Sequence, residues 1–229
     1  MSNAESGPSI LYLDEQIIAV NKPSGLRTIA DGYDHSLACL KDILSSEYGK
    51  VWTVHRLDKE TSGAIIFARN AMAHRILNEQ FQKHVVEKEY VAVVLGNPDW
   101  DEIEISNPLR KNGDRSHHTI PDEVNGKPAL TRAKVVHRFT QCTCLAVQIH
   151  SGITHQIRAH LSSQGYPIWG DKFYGFQESK PGNTVVDQNL TEHFYLHAHK
   201  LDFKHPFSHE NCHIEALLPT YFIQLIKTL

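Results

Sequence analysis

Residues 54–68 constrain this chain more than any other stretch, because a charged loop runs without a break into an apolar strand. The loop reads Val54-His55-Arg56-Leu57-Asp58-Lys59-Glu60-Thr61-Ser62-Gly63, and the apolar run is Ala64-Ile65-Ile66-Phe67-Ala68. A short apolar run bounded by a Thr-Ser-Gly turn signal predicts a buried strand. Such a strand anchors the loop that feeds it. Asp58 on that loop is flanked by Arg56 and Lys59, whose positive charges favour the carboxylate over the acid. A carboxylate kept ionised on an anchored loop is a candidate nucleophile or general base. An Asp in an ordinary surface salt bridge would carry the same neighbours, so the rest of the chain has to decide.

Three further segments bear on it. Asn21-Lys22-Pro23-Ser24-Gly25-Leu26 is a turn signal, in which Pro presets one backbone angle and Gly supplies the permissive one. Lys88-x-Tyr90 opens a β-branched run that ends in Gly96-Asn97-Pro98. Thr154-His155-Gln156-Ile157-Arg158-x-His160 is followed after four residues by Gly165-x-Pro167-Ile168-x-Gly170-Asp171-x-x-Tyr174-Gly175. With His-Arg-Leu-Asp-x-x-Thr-Ser-Gly, these segments resemble, in order and spacing, the motifs of RNA pseudouridine synthases of the RluA type. One position departs from the pattern: Ile153 stands where that family usually has Arg before Thr-His-Gln.

The resemblance implies one α+β catalytic domain over residues 9–229, with a long, mostly antiparallel mixed sheet flanked by helices and loops. It implies that Asp58, Tyr90 and Arg158 are catalytic: Tyr90 lies against the target base and Arg158 pairs with the Asp58 carboxylate. His55, Arg56, Thr61, His155 and Gln156 are implied to contact the RNA or the base. Because the strands begin within about the first ten residues, the resemblance is to short members that lack an S4-type RNA-binding domain. Those act on stem-loops of tRNA or large-subunit ribosomal RNA. Joining C5 of uracil to C1′ after the N1–C1′ bond breaks involves no redox step and no outside atom, so no cofactor is expected. The sequence shows no Gly-rich nucleotide-binding pattern either.

Composition leaves these expectations room. The net charge of −3 means that RNA has to be met by local basic patches rather than by the field of the whole protein. One candidate patch is the polar stretch 109–128, an RNA-facing loop or hairpin against the default of a solvated loop, which holds Arg110, Lys111, Arg115, His117 and His118. No apolar run approaches the roughly 20 residues that span a bilayer, and the N-terminus has no signal-peptide pattern. A cytoplasmic, monomeric protein whose partner is RNA, and which engages no membrane, is the expectation. The four cysteines, Cys39, Cys142, Cys144 and Cys212, form no C-x-x-C pair and are expected to be reduced. Residues 1–8 carry Ser2-Asn3-Ala4, typical of a cloning scar, and are set aside. The competing constellation is histidine. His193, His197, His199, His205, His209 and His213 crowd one region, and strand alternation puts His197 and His199 on one face. No His-Glu-x-x-His or structural-zinc spacing accompanies them, so no metal site is expected.

Periodicity predicts strands at residues 10–12, 16–20, 64–68, 88–96, 101–106, 130–139 and 145–150, with two more at 196–207 and 212–216. Helices are predicted at 36–48, at 71–84 behind an Asn70 cap, and up to residue 163 behind a Thr154 cap.

Overall fold

A computed structural model of the chain describes residues 7–32, 34, 36–114, 118–175 and 191–228. The chain divides into two compact units, one from Met1–Lys88 and His197–Leu218, the other from Glu89–Leu196 and Pro219–Leu229.

The first unit is built on β4 (Ser62–Ala68), the strand expected from the apolar run, and it starts two residues earlier than expected. All seven of its residues are buried, as a strand covered on both faces requires. Along one edge β4 pairs antiparallel with β2 (Ile17–Lys22), which in turn pairs with β1 (Ser9–Leu13). Its other edge is shared. β3 (Trp52–Thr53) lies antiparallel against Phe67 and Ala68, while β11 (Leu196–Lys204) runs parallel past Ser62 and Gly63. β12 (Asn211–Glu215) completes this sheet as the antiparallel partner of β11. A β-carbon on Gly63 would lie 2.1 Å from the Ala198 carbonyl oxygen, and its φ is +114°. That close passage of β11 is why the Thr-Ser-Gly turn must end in glycine.

Helix α2 (Ala71–Gln82) covers this sheet, and Asn70 caps it as expected, its side chain accepting the Ala73 N–H at 2.9 Å. Ala73 and Leu77 join Ile17, Ile66, Leu201, Phe203 and Ile214 in one core cluster. Helix α1 (Leu40–Tyr48) begins four residues later than its apolar spacing suggested. The reason is a bridge between Arg27 and Cys39, after which Leu40 N–H donates to Arg27 O and Lys41 N–H to Thr28 O. Those carbonyls take the first-turn donors that a helix cannot satisfy internally.

The second unit carries the antiparallel order β5–β10–β9–β6, with β5 (Glu87–Leu95), β10 (Cys142–Ile149), β9 (Thr131–Arg138) and β6 (Glu102–Ile105). The polar stretch 109–128, for which the sequence leaves a loop or a hairpin open, contains a small hairpin, β7 (Leu109–Arg110) against β8 (Ile120–Pro121). Leu109 is buried there with Ala129, Ala159 and Tyr174, and Asp122 ties the hairpin by accepting from Arg110 and from the Val124 and Asn125 amides. Arg115 and His117 lie outside the described residues. Helix α3 (Gln156–Ser163) starts after Thr154, not on it: His155 stands at the cap position with φ 57°, and no side chain caps the helix. Gln156 Oε1 accepts the Ile153 N–H at 3.2 Å, which braces the turn that leads into the helix. A C-terminal helix, α4 (Thr220–Thr228), was not anticipated from the sequence. Its Tyr221 packs on His193 at 4.3 Å and its Phe222 on Tyr195 at 5.1 Å. Helices and a mostly antiparallel, mixed strand pairing make the class α+β.

No helix among the described residues is long and apolar enough to cross a membrane. All four cysteines are free thiols, and burial pushes Cys142 up to about 12 and Cys144 up to about 11.

Candidate active site

The loop between β3 and β4 carries Asp58, and it is fastened along its length. At its start the chain leaves β3 after Thr53, and the His55 ring takes over the next ladder position by accepting the Ile66 N–H on Nε2 at 3.1 Å. The same ring stacks on Phe81 of α2, centroids 4.6 Å apart. Since Nε2 accepts, the proton sits on Nδ1. Burial, reinforced by the Lys88 charge, pushes His55 down to about 3.

Leu57 is held next, its N–H and C=O both bonded to the Thr28 hydroxyl. Beyond Asp58, Lys59 O accepts from Gly25 N–H at 2.9 Å and from Lys22 Nζ at 3.0 Å, and Glu60 O accepts from Ser24 Oγ at 2.6 Å. Lys22 Nζ also donates to Pro23 O and Leu26 O, so three carbonyls take its three hydrogens. Burial pushes Lys22 down to about 7 while Glu60 and Asp58 pull it back up. Three acceptors with no hydrogen of their own make the ammonium the form that this geometry holds. The two motifs, Asn21–Leu26 and His55–Gly63 in the sequence, are thus one structural object.

In the second unit Arg158 is 5% exposed and bonded two-point to Asp171, Nε to Oδ2 at 2.7 Å and Nη2 to Oδ1 at 2.8 Å. Asp171 also accepts the Phe173 and Tyr174 amides at 3.0 Å each. The guanidinium lies 5.0 Å from the Tyr174 ring and 5.2 Å from Phe194. A planar fork clamped by a buried carboxylate and stacked on aromatic faces has a fixed orientation, which a lysine cannot copy. Asp171 is the residue that reasoning from sequence passed over. Its signal was present in Gly170-Asp171-x-x-Tyr174-Gly175, a turn that lets one carboxylate meet two amides and an arginine.

A model of the RNA pseudouridylate synthase family matches residues 16–163. The chain belongs to that family. It is 35% identical to the dual-specificity RNA pseudouridine synthase RluA of Pasteurella multocida, over 88% of this chain and 89% of that one. It is 40% identical to an uncharacterised RNA pseudouridine synthase of Aquifex aeolicus over 86% of this chain, and there it spans 65% of the relative's length. The structure of human RNA pseudouridylate synthase domain containing 4 superposes with a TM-score of 0.77 at 24% identity, over 96% of this chain and 92% of that one. That likeness shows the pseudouridylate synthase fold. The family and its named relatives are isomerases that make pseudouridine in RNA.

The residues singled out in the pseudouridine synthase motifs fall into different settings. Arg56 is exposed on the Asp58 loop. Tyr90, 8% exposed, lies on β5 two residues after Lys88, which burial pushes down to about 8. His155 Nδ1 lies 3.1 Å from the Tyr174 hydroxyl, and its ring is edge-on to Phe173 and Tyr174. Thr61 and Gln156, implied by the resemblance to contact RNA or base, are 2% and 3% exposed. Gln156 bonds internally on every side, Oε1 to Ser151 Oγ and Ile153 N–H, Nε2 to Leu130 O and Thr131 Oγ1. Ile153 packs against the cluster of Leu109, Ala129, Ala159 and Tyr174.

The histidine-rich segment has structural employment. His197, fully buried on β11, donates from Nε2 to Ala216 O at 3.1 Å and accepts the Ser62 hydroxyl on Nδ1 at 2.8 Å. His199 reaches the same carbonyl at 2.9 Å, and His205 bonds Asp14 at 2.9 Å. Among the described residues no group of three or more His, Cys, Asp or Glu is arranged to hold a metal ion.

These buried histidines set an acid limit. Burial lowers His197 to about 4, as it lowers His55 to about 3. In the unfolded chain both titrate near the ordinary value of about 6.5. As pH falls below that value the unfolded chain takes up protons first, so the stabilisation present above pH 6.5 is lost on the way to pH 4. Each histidine steepens the loss by up to about 1.4 kcal/mol per pH unit. Urea midpoints measured from pH 7 to pH 4 should fall steeply, and His197→Gln should flatten the slope. An unchanged slope in that variant would remove His197 from the account.

Proposed function

We propose that this chain isomerises a specific uridine to pseudouridine in a structured RNA, a stem-loop of ribosomal RNA or tRNA, with Asp58 as the catalytic carboxylate. The observation that carries the reading is the fastening of the Asp58 loop by Lys22, Ser24, Gly25, Thr28 and His55. A surface salt bridge needs no such support, whereas a group that must meet one atom of a substrate does.

In the proposed reaction the target nucleotide leaves its stack, since its glycosidic bond is out of reach inside a helix. Arg56 fills the vacated place or clamps a phosphate, and Tyr90 stacks on the base. Asp58 acts as nucleophile or as base toward the ribose. The N1–C1′ bond breaks, the uracil turns, C5 bonds to C1′, and the hydrogen displaced from C5 is balanced by one gained at N1. Arg158, held in one orientation by Asp171, supplies the fixed cation of the reaction. The protein works in the cytoplasm as a monomer.

The chemistry asks for no Lewis acid, so conversion should survive chelation. Purified protein incubated with RNA from a strain lacking the gene should add pseudouridine at a discrete position, at the same rate with and without EDTA. Loss of conversion in EDTA, restored by zinc, would move the chemistry to a metal centre.

A further inference from the structure

Thr28 belongs to none of the sequence motifs, yet its hydroxyl holds both polar groups of the residue just before Asp58. Oγ1 donates to Leu57 O at 2.8 Å and accepts the Leu57 N–H at 3.2 Å. Leu57 is 5% exposed and Thr28 is 3% exposed, so neither peptide group has water to turn to, and both need a partner. One hydroxyl, a donor and an acceptor at once, serves both. Thr28 is itself fixed: its carbonyl takes the Lys41 N–H at 3.1 Å, and Arg27 O takes the Leu40 N–H at 2.8 Å, closing the first turn of α1. On the other side of Asp58, Lys59 is tied by Gly25 and Lys22. The residues before and after Asp58 are therefore both gripped, and Thr28 supplies the grip on the near side.

We infer that Thr28 is a positioning residue for the isomerisation, its hydroxyl setting the backbone from which the Asp58 carboxylate is presented. The inference rests on the assignment of Asp58 above. Thr28→Val keeps the shape and loses both hydrogen bonds, and Thr28→Ser keeps both bonds and loses only a methyl group.

The experiment compares single-turnover conversion, RNA affinity and thermal midpoint for wild type, Thr28→Val, Thr28→Ser and Asp58→Asn. The probe is a transcript spanning a uridine that the wild-type protein modifies in RNA from a strain lacking the gene. Thr28→Val is expected to slow conversion at least about tenfold with affinity within about threefold, because a small misplacement of a reacting group costs rate rather than binding. Thr28→Ser is expected to stay within about threefold of wild type, as the hydroxyl is retained. Conversion by Thr28→Val at the wild-type rate overturns the inference, and so does Thr28→Ser as slow as Thr28→Val, which would assign the effect to the methyl group. If Asp58→Asn is active, the reading of Asp58 falls and takes this inference with it; if Asp58→Asn is inactive and Thr28→Val unimpaired, the inference alone falls. Should Thr28→Val fail to fold, Thr28→Ala is read in its place. Hydrogen exchange at the Leu57 amide of the wild type gives an independent check, since rapid exchange there contradicts a held peptide.

Discussion

Asp58→Asn is expected to stop isomerisation while leaving the fold and the affinity for RNA nearly intact. The substitution keeps the size and planarity of the side chain and removes the charge on which a nucleophile or base depends. The loop around it is fixed mainly through backbone atoms of Leu57, Lys59 and Glu60, so nothing in those contacts asks for a carboxylate. Removing a nucleophile costs several orders of magnitude in rate, and residual turnover above about a tenth of wild type would sink the assignment. The thermal midpoint is the control that separates chemistry from folding.

Arg158→Lys carries the second large effect. If Arg158 mainly neutralised a phosphate, lysine would preserve the charge, most of the activity and the salt dependence of binding. Its setting speaks for geometry: Asp171 takes Nε and Nη2 together, and three aromatic rings lie within 5.8 Å of the guanidinium. An ammonium in that place reaches one carboxylate oxygen and presents no plane. Turnover is expected to fall at least about a hundredfold, about 3 kcal/mol of transition-state stabilisation, with RNA affinity changed less than threefold. Single-turnover rates and binding constants at two salt concentrations decide it, and equal losses in rate and affinity would make Arg158 a phosphate contact.

What the sequence made legible follows a physical division. Strand β4 was visible because five apolar residues in a row have nowhere to go but inside, and α2 because Asn70 and a 3.6-residue period agree. The starts of α1 and α3 were not visible. The start of α1 is set by tertiary partners, the Arg27 and Thr28 carbonyls, which no local pattern announces, and α3 begins after a left-handed His155, a conformation the residue type does not signal. Between a loop and a hairpin at 109–128 the local pattern could not choose, since the order of β7 and β8 comes from Asp122 and from Leu109 packing with Tyr174.

The candidate site divides in the same way. The residues proposed to bear the chemistry, Asp58, Tyr90 and Arg158, stood out by motif because they are few and of distinctive type. The groups that brace the Asp58 loop and Arg158, among them the Thr28 hydroxyl, the His55 ring and the Asp171 carboxylate, are of ordinary type, and the structure shows which partner each takes. Gln156 shows the converse: a motif residue whose amide bonds run entirely into the protein.

The central claim is tested most directly by mapping pseudouridine across total RNA from three strains: one without the gene, one complemented by the wild-type gene, and one complemented by Asp58→Asn at equal protein level. The account predicts that one or a few discrete uridines lose modification without the gene, regain it with the wild type and stay unmodified with Asp58→Asn. No change at any uridine, or full restoration by Asp58→Asn, would contradict it.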